Sequence, residues 1–441
     1  MDQQYKGLSD IRRITAPTQS PVDPARRPAR GVRAWERAAL HWLLKTFGNP
    51  PLHFVMWNGE VISNSQEAPV ARIHFREPGA LYRMLLDAEL FFGDDYSSGR
   101  IEVEGYFVEF LEQIYRGIAH APKPGFVRQM LQAWLRRPRN NSLEGSQENI
   151  HHHYDLGNDF YRLWLDEEMQ YTCAYFAQAA MSLEEAQRAK MDHVCRKLEL
   201  KPGMTVVEAG CGWGGLARHM ALNYGVKVRS YNISHQQIMY ATHRARAEGY
   251  ANRVEYVEDD YRNIRGHFDA FVSVGMLEHV GIDHYPVLGE VAANSLKENG
   301  RGLIHSIGRN RPGMMNAWIE KRIFPGGHPP ALSEMMQIFE PNRFAVLDVE
   351  NIRLHYAKTL AYWLERFEAN VDTITTQTSP EFVRAWRLYL AGSMAAFTAG
   401  DLQLFQIVFA HGHSNEVPWT RWHLYHDRDP KKETAWNRVT S

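Results

Sequence analysis

A glycine-rich loop near the centre of the 441-residue chain narrows the choice of fold sharply. Residues 206–215 read VVEAGCGWGG and run from an apolar strand pattern through a glycine turn into a helical pattern. This arrangement lets a ligand approach the backbone at the N-terminus of a helix. Between residues 205 and 306, strand patterns alternate with helical patterns of about 10–15 residues, which is typical of a parallel sheet with helices on both faces. The sequence therefore predicts an α/β fold.

Composition and charge exclude several classes of protein. The chain is 44% hydrophobic and 23% charged, as ordinary folded proteins are. Its 50 Lys and Arg residues balance 51 Asp and Glu residues, so no field of one sign can attract nucleic acid. The three cysteines include no Cys-x-x-Cys pair, which argues against a disulfide framework and a zinc site. We expect a protein of a reducing compartment that does not bind nucleic acid.

The sequence has no pattern typical of a signal peptide or a membrane span. Residues 1–16 contain charged side chains and no apolar core. The most apolar stretch, 388–410, is interrupted by Gly392, Gly400 and Asp401, so it predicts a buried helix followed by a strand. We therefore expect a cytoplasmic protein.

Changes of composition divide the chain into segments. Residues 1–30 contain four prolines among polar residues and predict a flexible tail. Residues 31–137 predict a small α+β accessory domain, with a hairpin turned at Asn58-Gly59. Residues 138–149 are rich in Asn, Ser and Gly and predict a linker. Residues 150–441 would then form a second, larger domain that contains the glycine loop.

The glycine loop also satisfies the dinucleotide pattern G-x-G-x-x-G through Gly210, Gly212 and Gly215. A dinucleotide site needs an acidic residue about 20 positions later for the ribose, and no Asp or Glu occurs between residues 209 and 247. Instead, Glu208 precedes the loop and acidic residues 259–260 follow the third strand, which resembles the S-adenosylmethionine loops of class I methyltransferases. The alternative is a turn in which the glycines serve only close packing.

Several further motifs carry a resemblance to one family. They lie at residues 153–159 (HYDLGND), 170–175 (QYTCAY), 260–262 (DYR), 273–281 (SVGMLEHVG), 305–308 (HSIG), 323–327 (IFPGG), 355–367 (HYAKTLAYWLERF) and 401–406 (DLQLFQ). Together they resemble the cyclopropane-fatty-acyl-phospholipid synthases and the related mycolic acid cyclopropane synthases. The segments 57–60 (WNGE) and 99–105 (GRIEVEG) are similar to the accessory domain of the phospholipid-acting branch.

The resemblance implies a class I, Rossmann-like S-adenosylmethionine-dependent methyltransferase domain behind a smaller N-terminal α+β domain that is associated with lipid binding or dimer formation. It implies methyl transfer to a cis double bond of an unsaturated acyl chain, followed by deprotonation of a carbocation and ring closure. The substrate would be the phospholipids of a membrane surface, reached by a peripheral protein on the inner face of the membrane. By analogy with family members, a homodimer is an expected state.

The resemblance also implies the residues of two sites. Bicarbonate, the proton acceptor in family members, would be bound by Cys173, Glu278, His305, the main chain of Ile307, and Tyr356. The residues expected at the cofactor are Tyr171, Thr172, Glu208, Gly210, Gly212, Gly214, Asn232, Gln237, Asp260, Tyr261, Arg262 and Val274. The second strand ends in Tyr231-Asn232 rather than in an acid, so Asn232 and Gln237 would bind the ribose.

Four of the five proposed bicarbonate ligands have a purely structural alternative. Cys173 alone would more often be a buried apolar residue, and a reactive thiolate beside a sulfonium would itself be methylated. Glu278 could form a structural ion pair, while His305 and Tyr356 could be core residues. Glu278 and His305 follow or end strands at the carboxyl edge of the sheet, where ligands bind in open α/β folds. That position favours the functional interpretation for both residues.

Two other segments have competing interpretations. The run His151-His152-His153 invites a metal site, but consecutive side chains point in different directions, so we expect no metal. Residues 126–139 form a basic amphipathic pattern that fits either docking between the domains or binding to anionic lipid. For the whole chain, the alternatives to a ring-forming synthase are a fatty-acyl C-methyltransferase without ring closure and a non-catalytic lipid-binding protein.

Overall fold

The structure of the protein, a computed structural model, describes residues 30–120 and 156–425. The predicted tail lies almost wholly outside these residues, as do the predicted linker, the basic segment 126–139 and His151-His152-His153. The proposed boundary between the domains therefore stays a prediction. Within the described ranges, no helix is both long enough and apolar enough to cross a membrane.

The first described range folds into a small α+β domain, which we call the accessory domain. Its elements are α1 (Ala34–Thr46), β1 (Leu52–Val55), β2 (Val61–Ile62), β3 (Ala71–Phe75), α2 (Pro78–Leu86), α3 (Ala88–Ser97), β4 (Ile101–Gly105) and α4 (Phe107–His120). The sheet has the order β2-β1-β3-β4, and only the β1–β3 pair is parallel.

Local sequence explains the turns of the accessory domain. The predicted hairpin is confirmed, because β1 pairs with β2 in antiparallel register and Gly59 adopts φ 85° in the turn between them. Pro78 opens α2, where its missing N–H is not needed. Asp87 accepts a hydrogen bond from the N–H of Leu90 and so caps α3.

The second described range folds into a larger α/β domain, which we call the catalytic domain because the resemblance implies that it carries the reaction. Its elements are α5 (Asn158–Arg162), α6 (Leu183–Lys197), β5 (Thr205–Ala209), α7 (Gly215–Tyr224), β6 (Lys227–Asn232), α8 (His235–Ala247), β7 (Val254–Glu258), β8 (Phe268–Val274), α9 (Tyr285–Ser295), β9 (Leu296–Gly308), α10 (Ala317–Arg322), α11 (Leu332–Phe339), β10 (Phe344–Asn351), α12 (Arg353–Ala369), α13 (Val371–Gln377), α14 (Pro380–Ala399), β11 (Gln403–His411) and α15 (Trp422–Tyr425).

These strands form one seven-stranded sheet of order β10-β11-β9-β8-β5-β6-β7. The five strands from β9 to β7 are mutually parallel, whereas β11 runs antiparallel to β9 and β10 antiparallel to β11. The predicted α/β fold with a separate N-terminal α+β domain is confirmed. The apolar stretch 388–410 forms the C-terminal half of α14 followed by β11, as predicted.

The two domains pack closely through α14 and α10. Arg384, 8% exposed on α14, donates hydrogen bonds to the carbonyl oxygens of Tyr96 (2.6 Å) and Ile101 (3.0 Å) in the accessory domain. The indole of Trp318 lies against Gly93, where an added Cβ would be 2.5 Å from the ring. Such close packing leaves the accessory domain in direct contact with the catalytic domain.

Candidate active site

The glycine loop follows β5 at the carboxyl edge of the sheet. Gly210, Gly212 and Gly214 all have positive φ angles, of 87°, 52° and 83°. A Cβ at Gly210 would be 2.9 Å from the side chain of Met276, and one at Gly214 would be 2.5 Å from the hydroxyl of Tyr256. A Cβ at Gly212 would meet nothing within 4 Å. Close packing therefore explains Gly210 and Gly214, but the space beside Gly212 is open to a ligand.

A pocket lies beside this loop and is lined by most of the predicted cofactor residues. Eight of them line it: Tyr171, Thr172, Glu208, Gly210, Gly212, Asn232, Gln237 and Val274. The wall also includes eight residues that the sequence did not single out for the cofactor: Met169, Gln170, Cys211, Trp213, Leu216, Gly275, Met276 and His279. The structure thus brings the loop, the end of β6 and segment 169–172 together.

Hydrogen bonds fix three polar side chains of the pocket wall, Glu208, Asn232 and Gln237. Glu208 is 1% exposed and accepts a 2.6 Å hydrogen bond from the hydroxyl of Ser230. Burial raises the pKa of Glu208 to about 7. Asn232 donates a 2.7 Å hydrogen bond to the side-chain oxygen of Gln237, which fixes both amides where the second strand ends. These groups suit a ligand that carries both an amine and ribose hydroxyls.

Two buried side chains of α6 hold segment 169–172 in place, and the sequence analysis did not identify them. Lys190 donates hydrogen bonds to the side-chain oxygens of Gln170 (2.6 Å) and Thr172 (2.8 Å). Gln187 donates to the main-chain oxygens of the same two residues, at 3.2 and 2.9 Å. Burial lowers the pKa of Lys190 to about 8. Lys190 and Gln187 therefore position one wall of the pocket.

Four predicted cofactor residues do not line this pocket in the described structure. Gly214 lies behind the loop, against Tyr256. Asp260 caps a short turn after β7 by accepting hydrogen bonds from the main chain and guanidinium of Arg262. Tyr261 is 8% exposed and packs in the core, with the guanidinium of Arg262 5.4 Å from its ring centre. Their assignment to the cofactor stays a prediction.

A second cavity, of about 720 Å³, adjoins the cofactor pocket. Tyr171, Thr172, Gly275 and His279 line both spaces. All five residues predicted to bind bicarbonate contribute to the wall of this second cavity: Cys173, Glu278, His305, Ile307 and Tyr356. The structure therefore brings the predicted catalytic set together beside the predicted cofactor pocket.

Glu278 lies on a short turn after β8 and has two unlike carboxylate oxygens. Its Oε1 accepts a 2.6 Å hydrogen bond from the main-chain N–H of Ile307. Its Oε2 is buried and has no hydrogen-bond partner among residues 30–120 and 156–425. Burial raises the pKa of the Glu278 carboxyl to about 7, against the opposing effects of its own main-chain N–H, the Ile307 N–H and the Ser306 hydroxyl. Glu278 can therefore accept a proton or a hydrogen bond at Oε2 near neutral pH.

His305 is 2% exposed on β9, and burial holds its pKa well below the ordinary value. The ring is therefore neutral. Its Nδ1 lies 3.0 Å from the side-chain amide nitrogen of Gln406 on β11. In the tautomer in which that amide donates to Nδ1, the ring proton is on Nε2, and His305 can donate a hydrogen bond through that nitrogen.

The other members of the set are more deeply engaged in the fold. Cys173 is fully buried, its thiol donates to the main-chain oxygen of Ala174, and burial raises its pKa. The N–H of Ile307 is already bonded to Glu278. The ring of Tyr356 packs against Phe397, with 4.7 Å between ring centres. Glu278 and His305 are thus the members whose polar atoms are best placed to meet a ligand.

Comparison with known proteins identifies the family of the chain. Residues 141–407 match the family described as Mycolic acid cyclopropane synthetase, and residues 39–120 match a domain family of unknown function, DUF7884. The chain is 38% identical over 346 residues to the cyclopropane-fatty-acyl-phospholipid synthase of Escherichia coli K12, covering 78% of this chain and 89% of that protein. It is 35% identical over 387 residues to a probable fatty acid methyltransferase of Pseudomonas putida, covering 85% and 96%.

Among solved structures, the chain is similar to mycolic acid cyclopropane synthase CmaA1 complexed with SAH and CTAB. That similarity has a TM-score of 0.57 and 30% identity, and it covers 60% of this chain and 98% of the other. The chain belongs to the mycolic acid cyclopropane synthetase family and is an S-adenosylmethionine-dependent methyltransferase.

Proposed function

We propose that the chain transfers a one-carbon unit from S-adenosylmethionine to a cis double bond in the acyl chains of membrane phospholipids and closes a cyclopropane ring. One observation carries this proposal. Glu278, with a buried and unpartnered Oε2, lies in the wall of a cavity that adjoins the cofactor pocket within the described ranges. The names of relatives at 35–38% identity support an acyl substrate.

The polar groups that line the cofactor pocket match the functional groups of S-adenosylmethionine. Glu208 offers a buried acceptor to an amine, and Asn232 and Gln237 offer neutral partners to ribose hydroxyls. Gly212 leaves space against the backbone. When bound, S-adenosylmethionine supplies an electrophilic methyl group. The task of the chain at this stage is alignment, because an alkene needs no activation once the two reactants are held in line.

The deprotonation that precedes ring closure needs a proton acceptor that a sulfonium would not methylate. Where bicarbonate is bound, Glu278, His305 and Tyr356 would hold it, and it would supply that acceptor. Glu278 can accept the hydroxyl hydrogen at Oε2, and His305 can donate from Nε2. Cys173 and the main chain of Ile307 already have internal hydrogen bonds, so they would shape the site rather than supply its main contacts.

A fatty-acyl methyltransferase without ring closure is the second candidate, favoured by the name of the Pseudomonas putida relative. Such an enzyme shares the cofactor and the acyl cavity, so neither feature separates the two reactions. Both products form from a carbocation that loses a proton, and loss from the transferred methyl closes the ring. An acceptor held by Glu278 and His305 beside that methyl favours the ring. The products differ in their NMR spectra, because a cyclopropane methylene resonates at high field and a branched product has vinylic or allylic methyl signals.

The test uses the full chain, unsaturated phospholipid vesicles and S-adenosylmethionine labelled in the methyl group. We expect labelled cyclopropane lipid from the parent protein. We expect Glu278→Gln to form product about 10²–10⁴ times more slowly, with a much smaller change in cofactor affinity. The matched control is Glu298→Gln, at an acid whose side chain is 80% exposed. Vinylic or allylic methyl signals in place of the ring resonances would establish the second candidate instead.

We also propose that the protein works at a membrane surface. Trp42, Ile118 and Met314 line the second cavity and are 52%, 51% and 64% exposed, so they form an apolar rim where lipid can enter. The basic segment 126–139 would add attraction to anionic lipid. Replacing Arg136, Arg137 and Arg139 with Gln should weaken cosedimentation with anionic vesicles, most clearly at low salt. Equal cosedimentation at every salt concentration would assign this segment to contacts within the protein.

A further inference from the structure

The second cavity extends into the accessory domain. Its wall includes side chains from β1, β3, α2 and α4 as well as from the catalytic domain. Among the accessory residues of the wall, five apolar side chains from these four elements are at most 7% exposed: Phe54, Ile73, Met84, Phe110 and Leu111. The catalytic groups Glu278 and His305 line the same cavity. The accessory domain therefore contributes a buried apolar wall to the space in which the reaction is proposed to occur.

The acids of this part of the cavity are already engaged within the protein. Asp87 caps α3 through the N–H of Leu90, and Glu89 accepts a hydrogen bond from the N–H of Ala317. Near Tyr115 the wall also includes the charged side chains of Asp401 and Arg309. The hydrocarbon surface is therefore the part of the wall formed by the five apolar residues named above. The polar end of a lipid cannot enter such a region without losing its hydration, so it must stay at the exposed rim formed by Trp42, Ile118 and Met314. The buried apolar part of the cavity suits the methyl end of the lipid's acyl chain.

On the catalytic-domain side of the cavity, helix α14 has a glycine where a larger side chain would fill the space. Gly392 lies in the interior of α14, where glycine weakens a helix, and it lines the cavity. A Cβ at Gly392 would meet nothing within 4 Å. A volume of about 720 Å³ is in the range of about 300–1,000 Å³ that is typical of sites that bury most of a ligand. The space is thus suited to an extended hydrocarbon chain.

We propose that the accessory domain binds the methyl-terminal part of the acyl chain of the substrate and that Ile73 and its apolar neighbours set the chain length accepted. This inference rests on the proposed function, because it assumes an acyl substrate. It assigns a role to the domain at residues 39–120, whose family is described as of unknown function. Binding is by burial of hydrocarbon, without any charged partner.

The first test uses the parent protein and two photoreactive phospholipids. One carries a diazirine at the methyl end of a cis-9 unsaturated chain, and the other carries it in the head group. After irradiation, we expect the chain-end probe to label peptides of the accessory domain that contain Phe54, Ile73 or Phe110, and the head-group probe to leave those peptides unlabelled. Labelling by the chain-end probe in the catalytic domain alone would overturn the inference.

The second test measures chain-length preference. Ile73→Phe places a larger side chain in the wall and so reduces the volume of the cavity. Ile62→Phe is the control, because Ile62 is 3% exposed in the same sheet but does not line the cavity. Vesicles would contain equal amounts of 16- and 18-carbon cis-9 chains. We expect Ile73→Phe to lower the ratio of 18- to 16-carbon product about tenfold, the effect of two methylenes that are no longer buried. An unchanged ratio in a folded Ile73→Phe protein would contradict the inference.

The two tests also separate this inference from the proposed function. A parent protein that forms no acyl product but is labelled in the accessory domain by the chain-end probe would refute the function and support the binding role. A parent protein that forms the product but is labelled only in the catalytic domain would support the function and refute the binding role.

Discussion

Ionisation of Glu278 should lower the free energy of unfolding as pH rises. Replacing Glu278 with a residue that cannot ionise should remove this decrease. The pKa of its carboxyl rises from an ordinary 4.5 to about 7 in the folded chain because the group is buried. Below pH 4.5 the carboxyl is protonated in both the folded and the unfolded state and has no effect. Above that pH the unfolded state ionises first, so stability falls until the folded carboxyl ionises near pH 7. Each pKa unit is worth about 1.36 kcal/mol, which gives a total loss of about 3 kcal/mol.

The variant Glu278→Gln cannot ionise. About 2–3 kcal/mol of the loss develops between about pH 5 and pH 8, so the free energy of unfolding of the variant relative to the parent should rise by that amount across this interval. The unpaired amide that this substitution leaves buried adds a cost that is the same at both pH values, so it cancels in the comparison. Urea unfolding at the two pH values measures the difference, and Glu298→Gln, at an exposed acid, should show none. A relative stability that is the same at both pH values would refute the reasoning, because it would mean that burial does not destabilise the Glu278 carboxylate.

Three other substitutions test separate parts of the site. Gly212→Val should abolish binding of S-adenosylmethionine in calorimetric titration, whereas Gly249→Val, at a second glycine with positive φ and open surroundings, should bear similar backbone strain and keep full affinity. Lys190→Met should weaken cofactor binding about tenfold, because two hydrogen bonds to the pocket wall are lost, and retained affinity would show that Gln187 suffices. Gly392→Ala should raise the free energy of unfolding by about 0.5–1 kcal/mol and keep activity, and a loss of activity would mean that the substrate touches the α14 backbone there.

Local sequence was sufficient for most elements of the fold. The strand, glycine turn and helix around Gly212 appear as predicted, since apolar runs and glycines act over a few residues. The last strand pattern, which ends at residue 306, belongs to the longer strand β9 (Leu296–Gly308). From residue 301 onward β9 pairs with β8 on one side and β11 on the other, and β11 follows β9 by about 95 residues in sequence, so a local pattern does not reveal that partner.

Features that depend on distant residues could not be predicted. Lys190 is 18 residues from Thr172 in sequence, and no spacing rule links a helical lysine to that partner. Glu278 was found through its motif and its place after β8, but the contrast between its two oxygens depends on Ile307, on another strand. The second cavity extends into the accessory domain because the two domains pack together. The sequence pattern of each domain predicts its own elements but not this packing.

Arg384 couples the folding of the two domains. Its guanidinium is buried and donates to main-chain oxygens of Tyr96 and Ile101, and it lies 4.5 Å from the centre of the Tyr96 ring. If the domains separated, the guanidinium would lose these partners and the apolar surface around it would meet water. The two domains should therefore unfold in a single cooperative transition, and a ligand that binds in the cavity between them should raise the midpoint for both.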